Sequence, residues 1–261
     1  MSNNIDLTIS LISHNSKKDL EHLLPSLFLA LSNINAEVLL VDNCSDDSTV
    51  EYVKRNYPEI FVRKNKSRLG YGANHNQNLA MAKGKYIVLM NADMTLTPKS
   101  LILLMKYIDN NSEIGIATPK ILNEDGTLQY LNKRYPTLID LFLRRFLPVQ
   151  FKHLFEKRLK FYEMRDVGYD SITDVPFVSG AFMFSRTALI KDLFGFDERF
   201  FMYFEDVDLC RRVQKTHRTV YYPDAVVTHR WDRAAHKKLK WMIIFMNSAF
   251  HYFNKWGYRL F

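Results

Sequence analysis

The sequence predicts an α/β protein built on a largely parallel sheet, and three observations carry that expectation. Short apolar runs alternate with longer amphipathic patterns through the first half, the rhythm of βαβ units. Each of those runs ends in short polar residues, as at the carboxyl edge of an open α/β sheet, where ligands bind. The composition, 47% hydrophobic and 25% charged over 261 residues, supports one large core and excludes disordered and fibrous classes.

Leu7–Ser13 reads as the first strand and Asp19–Leu31 as the helix that follows it. Glu37–Val41 is the second strand, Ser48–Asn56 a helix, Ile60–Arg63 the third strand, Asn74–Ala82 a helix and Tyr86–Met90 the fourth strand. After Pro119 the character changes. Asn123-Glu-Asp-Gly126 is a turn signal, and Lys133 to Arg165 mixes Lys and Arg with Leu, Phe and Tyr as an amphipathic basic lobe. Pro176–Phe184 and Thr219–Tyr222 read as strands, Val207–Thr216 as a helix and Ala225–Thr228 as a last short strand ending at His229. Lys237–Trp256 is one amphipathic helix with Met242, Met246, Ala249, Phe250 and Phe253 on a stripe.

The 36 Lys and Arg against 28 Asp and Glu leave a charge of +8, which calls for an anionic partner such as phosphate, nucleic acid or lipid headgroups. Cys44 and Cys210 form neither a zinc motif nor a disulfide framework, so a reducing compartment is expected. The start lacks a leader pattern, and no run approaches the ~18 uninterrupted apolar residues of a spanning helix. A cytoplasmic protein is the expectation.

Four polar segments close the first four strands: His14-Asn15 after Ser13, Asp42-Asn43, Asn65, and Asn91-Ala92-Asp93. Asp93 can hold a divalent cation against a diphosphate, or Asn91 to Asp93 can be a simple strand-end turn. Ser45 or Asp47 reads as a helix cap, whereas Asp42, directly behind four apolar residues, suits a nucleobase imide N–H. Asn65-Lys-Ser-Arg68-Leu-Gly70-Tyr-Gly-Ala-Asn74 is either a phosphate-approaching loop or an ordinary glycine turn, and it has neither P-loop nor dinucleotide spacing. Glu205, Asp206 and Asp208 follow a block of aromatics, which points to function for at least one of them. The alternative pairs Asp208 with Arg211 or Arg212. His229 either completes a metal site with Asp93 or is structural.

Together these segments resemble the family 2 glycosyltransferases of the GT-A fold over Leu7 to His229. The motifs that carry the likeness are Val41 to Ser48, Asn65 with Gly70 to Asn74, Leu89 to Asp93, Val178 to Phe182 and Phe196 to Leu209. Asp125 to Gln129, Arg134 to Thr137 and the Phe200 to Asp206 run look most like bacterial rhamnosyltransferases of cell-surface glycan assembly. The resemblance implies a Rossmann-like central sheet and an inverting, metal-dependent transferase using Mg²⁺ or Mn²⁺. It implies a catalytic domain over 1–230, with a nucleotide half to about 120 and an acceptor half beyond it, and a helical extension over 231–261. Ser13, His14, Asn15, Asp42, Asn65, Arg68, Gly70, Asn74, Asn91, Ala92 and Asp93 would line the donor, Ser179, Gly180, Glu205 and Asp208 the acceptor. Asp206 would be the base, and Asp93 with His229 would meet the metal. Asn91 stands where the family usually has an Asp, so Asp93 carries the metal alone on that loop.

The implied partners are a dTDP- or UDP-sugar and a glycan or polyprenyl-diphosphate-linked acceptor, with no specific nucleic acid. The Lys237-Lys-Leu-Lys-Trp241 helix suits a membrane interface, on the inner face of the cell membrane, or else a buried core or homodimer stripe. A nucleotidyltransferase on a similar sheet is the enzymatic rival, although Ser13 to Asp19 lacks the glycine-rich loop of such enzymes.

Overall fold

The computed structural model describes residues 5–145, 147–230 and 239–261, so Met1 to Asn4 and the start of the last helix, Lys237 and Lys238, lie outside the described residues. The alternation of the first half is present. Strands β1 (Leu7–Ser13), β2 (Ala36–Asp42), β3 (Phe61–Lys64) and β4 (Tyr86–Met90) lie parallel in the order β3-β2-β1-β4. Helices α1 (Lys17–Leu31), α2 (Thr49–Asn56) and α3 (Tyr71–Met81) connect them. The helix read from Asn74 begins at Tyr71, because the extended backbone of Gly70 is the point where the chain turns into it. A Cβ on Gly70 would lie 2.6 Å from the Phe201 carbonyl oxygen, so glycine is what allows this loop to reach that backbone.

The second half holds elements that periodicity does not separate: β5 (Met94–Leu96), α4 (Ser100–Asn110) and β6 (Ile114–Leu122). β6 is buried at most positions, so it shows no alternation. Pro119, which reads as a boundary in the sequence, sits inside it next to a register shift against its neighbour. There follow α5 (Leu138–Arg145), a 3-10 segment (Val149–Phe155), α6 (Glu156–Tyr162), β7 (Thr173–Asp174), β8 (Phe182–Arg186) and α7 (Thr187–Asp192). The chain ends with α8 (Glu205–Val213), β9 (Arg218–His229) and α9 (Leu239–Trp256). Pro176 to Ala181 is therefore a loop, the two short strands predicted near 219–228 are one strand, and α8 starts two residues earlier than its apolar pattern suggests.

β8 inserts antiparallel between β4 and β6, and β9 runs parallel to β6, giving the order β3-β2-β1-β4-β8-β6-β9-β5 with β7 beside β9. Both faces of this sheet are covered. In β4, Tyr86, Val88 and Met90 join the core shared with α1 and α4, and Ile87 and Leu89 join the one shared with α3, α7 and α8. That is period-two burial on two sides. A third cluster sets Phe177, Phe200, Phe204 and Val207 against Ala249, Tyr252 and Phe253, so α9 shares a core with the start of α8 and the loops before it. No helix among the described residues is long and apolar enough to cross a membrane.

Candidate active site

Parallel strands place their carboxyl ends on one edge, and the register shows which residues meet there. Ser13 lies opposite Asp42, Leu11 opposite Met90, and the antiparallel β8 brings the Ser179–Ala181 loop to the same edge through Met90 opposite Phe182. β5 pairs Met94 with His229 and so carries the end of β9 to Asp93.

The residues expected to line the donor form a connected rim. Asp42 is fully buried and accepts from the Ser13 hydroxyl (3.0 Å) and the Ser45 N–H (3.2 Å). The His14 ring meets the Asn43 carbonyl at 3.0 Å, and Asn15, in a left-handed conformation, exchanges hydrogen bonds with Ser45 and Asp46. Asn65 donates to Asn74 (2.7 Å) and to Asn43 (3.2 Å), while Asn43 and Asn74 both donate to the Leu69 carbonyl. This asparagine network fixes the Leu69-Gly70 turn. Asn43 was visible as a rim residue, but its part in holding that turn was not. Arg68 is exposed beyond it. Of the two cap candidates the sequence offered, Asp47 takes the role. Asp47 accepts from Thr49 and from the Lys17 N–H, tying the starts of α1 and α2 together, and Ser45 serves Asn15 instead.

At the other end, Asp93 Oδ1 lies 3.2 Å from His229 Nε2, and Asn91 Nδ2 lies 3.5 Å from the same nitrogen. Gln129 fixes the ring. Its amide N–H groups go to the His229 carbonyl (2.8 Å) and Asn123 (2.7 Å), leaving Oε1 to receive Nδ1–H at 2.9 Å. Nε2 is thus the ring nitrogen turned toward the Asp93 carboxylate. An imidazole nitrogen and a carboxylate oxygen at this distance fit a cation shared between them, and a histidine held through its other nitrogen is the usual support for a metal ligand. Among the described residues no three His, Cys, Asp or Glu side chains form a metal cage, so a cation held by Asp93 and His229 would need its remaining ligands from a bound molecule or water.

Between these ends stands Tyr71, whose hydroxyl donates to the Gly180 carbonyl at 2.7 Å. The Gly180 N–H donates to Asp206 Oδ2 at 3.0 Å, and the Val207 N–H donates to Oδ1 at 2.9 Å. Burial and the charges of Glu205, Asp206 and Asp93 all raise the Tyr71 phenol well above its ordinary value, which places the three carboxylates in one electrostatic neighbourhood. Burial also raises Asp206, opposed by the Gly180 N–H and by Lys133. Lys133 itself is pulled down to about 7 by desolvation.

Glu205 is 5% exposed and its Oε2 has no hydrogen-bond partner among the described residues. Burial, then the Asp206 charge, hold its carboxyl well above the usual range. Both carboxyls are raised, Glu205 the more strongly because Asp206 alone has two N–H donors, so Glu205 is the one of the pair that favours its protonated form. Unfolded, Glu205 ionises near 4.5, so unfolding releases its proton above that pH and this carboxyl costs stability as pH rises toward its folded value. Glu205→Gln is expected to remove that loss. Thermal unfolding from pH 5 to 8 should show the wild type falling progressively relative to the variant, and parallel curves would reject the protonated state.

Asp208 follows the alternative the sequence offered, a pairing with Arg212, and not the acceptor contact the resemblance implied. It is fully buried and turned away from the cleft, accepting from Arg212 Nε (2.9 Å), Lys255 Nζ (2.7 Å) and Trp256 Nε1 (2.8 Å). Its role is to bind α8 to α9 and not to meet an acceptor. Tyr71, Lys133 and Gln129 are the site residues that sequence reasoning missed. Gln129 stood inside a motif already noted, and Lys133 was read only as part of a basic lobe.

Residues 8–193 match the profile of Glycosyl transferase family 2. The chain is a family 2 glycosyltransferase. The N-acetylglucosaminyl-diphospho-decaprenol L-rhamnosyltransferase of Mycobacterium tuberculosis H37Rv is 29% identical over 244 residues, 85% of this chain and 75% of that protein. Rhamnosyltransferase WbbL of Escherichia coli K12 is 26% identical over 165 residues, 59% of each chain. The mannosyltransferase PcManGT of Pyrobaculum calidifontis, solved with GDP-Man and Mn²⁺, superposes with a TM-score of 0.61 at 18% identity, covering 92% of this chain and 61% of its own. The glycosyltransferase thus has the GT-A fold its motifs announced, and it spans about three fifths of the PcManGT and WbbL chains.

Proposed function

We propose that this glycosyltransferase moves a sugar from a nucleotide donor to a hydroxyl of a glycan or polyprenyl-diphosphate-linked acceptor, with inversion at the anomeric carbon, in bacterial surface polysaccharide synthesis. The observation that carries the reading is Asp206, a carboxylate held by two N–H groups in the same cleft as the Asp93–His229 pair. Asp206 takes the proton of the acceptor hydroxyl as its oxygen bonds to the anomeric carbon. The bond to the diphosphate oxygen breaks on the opposite side. Asp93 and His229 would hold Mg²⁺ or Mn²⁺, which stabilises charge on the departing diphosphate. The asparagine-pinned Gly70 turn and the rim from His14 to Asn43 surround the nucleotide. With both Asp42 oxygens already accepting from Ser13 and Ser45, its contact with a base would use a remaining lone pair.

Likeness to two rhamnosyltransferases supports dTDP-L-rhamnose as the donor. The GDP-Man complex of a neighbour supports the second reading, the same chemistry from a UDP- or GDP-sugar. A thermal-shift panel of nucleotide sugars with Mn²⁺ separates them, since selective binding to the native state raises its Tm. Selective stabilisation by dTDP-rhamnose is expected, and a larger shift with a UDP- or GDP-sugar would transfer the assignment. Chelation by EDTA is expected to abolish that shift's metal-dependent part. Asp93→Ala and His229→Ala should each weaken metal-dependent donor binding about 10- to 100-fold, as loss of a metal-site group typically does. Unchanged metal dependence in both variants would remove the metal from this pair.

A further inference from the structure

The last helix carries two apolar rows. Phe245, Ala249, Tyr252, Phe253 and Trp256 pack on the protein, whereas Leu239, Ile243, Met246 and Phe250 are each more than half exposed. At about 100° per residue the second row lies roughly 105° around the helix from the first. The stripe read from sequence as a single face, Met246 and Phe250 with Ala249 and Phe253, is thus divided between core and surface.

The exposed row does not stand alone. The N–H groups of Leu138 and Ile139 donate to the carbonyls of Arg259 and Leu260, and the Arg145 guanidinium lies 5.4 Å from the Phe245 ring, so α5 lies alongside α9 and its tail. The lobe beginning with α5 exposes Phe142, Leu154 and Phe161, again each by more than half. Its charge is one-sided in the sequence, although Arg134, Arg158, Lys160 and Arg165 are paired with Asp166, Asp140, Glu156 and Glu163. Residues 133–165 hold nine Lys and Arg against three Asp and Glu, and residues 239–261 hold three basic residues and no acidic one. At the near end of α9, Lys240, Trp241 and Ile244 line an apolar hollow of about 300 Å³ with Phe201 and Arg68. The Phe201 carbonyl receives the Tyr71 N–H, so this surface borders the cleft.

We propose that the composite face of α9, α5 and the basic lobe seats on an anionic lipid bilayer. Exposed aliphatic and aromatic side chains enter the headgroup boundary while the surrounding cations meet lipid phosphates. Neither element reaches across the membrane. A protein partner would have to be strongly acidic to match the same surface. The inference goes beyond the transfer reaction and holds whether or not the acceptor is lipid-linked. Membrane seating would bring the Arg68 hollow to the lipid surface beside the cleft.

The test is co-sedimentation of the full chain with vesicles of phosphatidylcholine alone or mixed with phosphatidylglycerol, across a salt series. Binding to the mixed vesicles that weakens with salt is expected, with little binding to the zwitterionic ones. Ile243→Glu with Phe250→Glu is expected to lower binding at least about tenfold, because each substitution removes a side chain that would be buried. Both positions are exposed, so the variant's Tm and its thermal response to nucleotide should match the wild type. Equal binding by wild type and variant, or no preference for anionic vesicles, would overturn the proposal. So would a lipid-free dimer of the wild type that the double variant converts to monomer, since the face would then belong to a second copy of the chain.

Discussion

Asp206→Asn is expected to lower kcat about 10²- to 10⁴-fold, the range that a positioned general base contributes, while leaving the thermal shift on donor binding in place. The carboxylate is fixed by the Gly180 and Val207 N–H groups, and Gly180 is fixed in turn by Tyr71. Asparagine keeps one oxygen for these donors but sets an amide NH₂ against the other. It also cannot accept the acceptor's proton. Its Tm must therefore be measured beside its rate, so that lost chemistry is distinguished from a disturbed loop. A variant that folds, binds nucleotide sugar and turns over within about tenfold of wild type would remove Asp206 from the base role.

Asp208→Ala is expected to be the most destabilising substitution near the site while making no contact with substrate. Its fully buried carboxylate answers the Arg212 guanidinium, the Lys255 ammonium and the Trp256 indole N–H. Removing one partner of a buried ionic group typically costs about 3–5 kcal/mol, because the opposing charges lose their counter-ion. For a chain of this size that corresponds to a Tm lower by roughly 10 °C. Lys255 retains Asp197 as a second partner, which moderates the loss on that side. A fall below about 1 kcal/mol in denaturant titration would show that water replaces the carboxylate, and the hub would lose its structural weight.

The contrast between these two residues shows what was legible in the sequence. The first half was readable because β1, β2 and β4 are short apolar runs cut by helices, and their polar ends lie on one edge for topological reasons. β6 escaped because burial on both faces removes alternation, and Pro119, tolerated at a register shift, mimicked a boundary. The Asp93–His229 pairing spans more than a hundred residues, and the sequence left it open between a metal site and a structural histidine. Only the pairing of β5 with β9 gives it a physical cause. Asp208 was misplaced because spacing on α8 puts it one turn from Glu205, while its partners Lys255 and Trp256 lie on a helix far along the chain. Helical spacing offered Arg211 or Arg212, and Arg212, four residues away, is the one that pairs.

α8 therefore carries two obligations within three residues. Asp206 is the base of the proposed reaction, and Asp208 fastens the helix to α9. A chain cut before α9 would not be the same enzyme without its anchor. It would leave Asp208 with Arg212 alone and strip Phe204, just ahead of the base, of its packing against Phe245 and Tyr252. Loss of lipid binding after such a truncation would say little about lipid, because catalysis would fail with it. In this protein the part that would find the membrane and the part that would hold the base are a single mechanical unit, and only substitutions on the outward row of α9 can separate their roles.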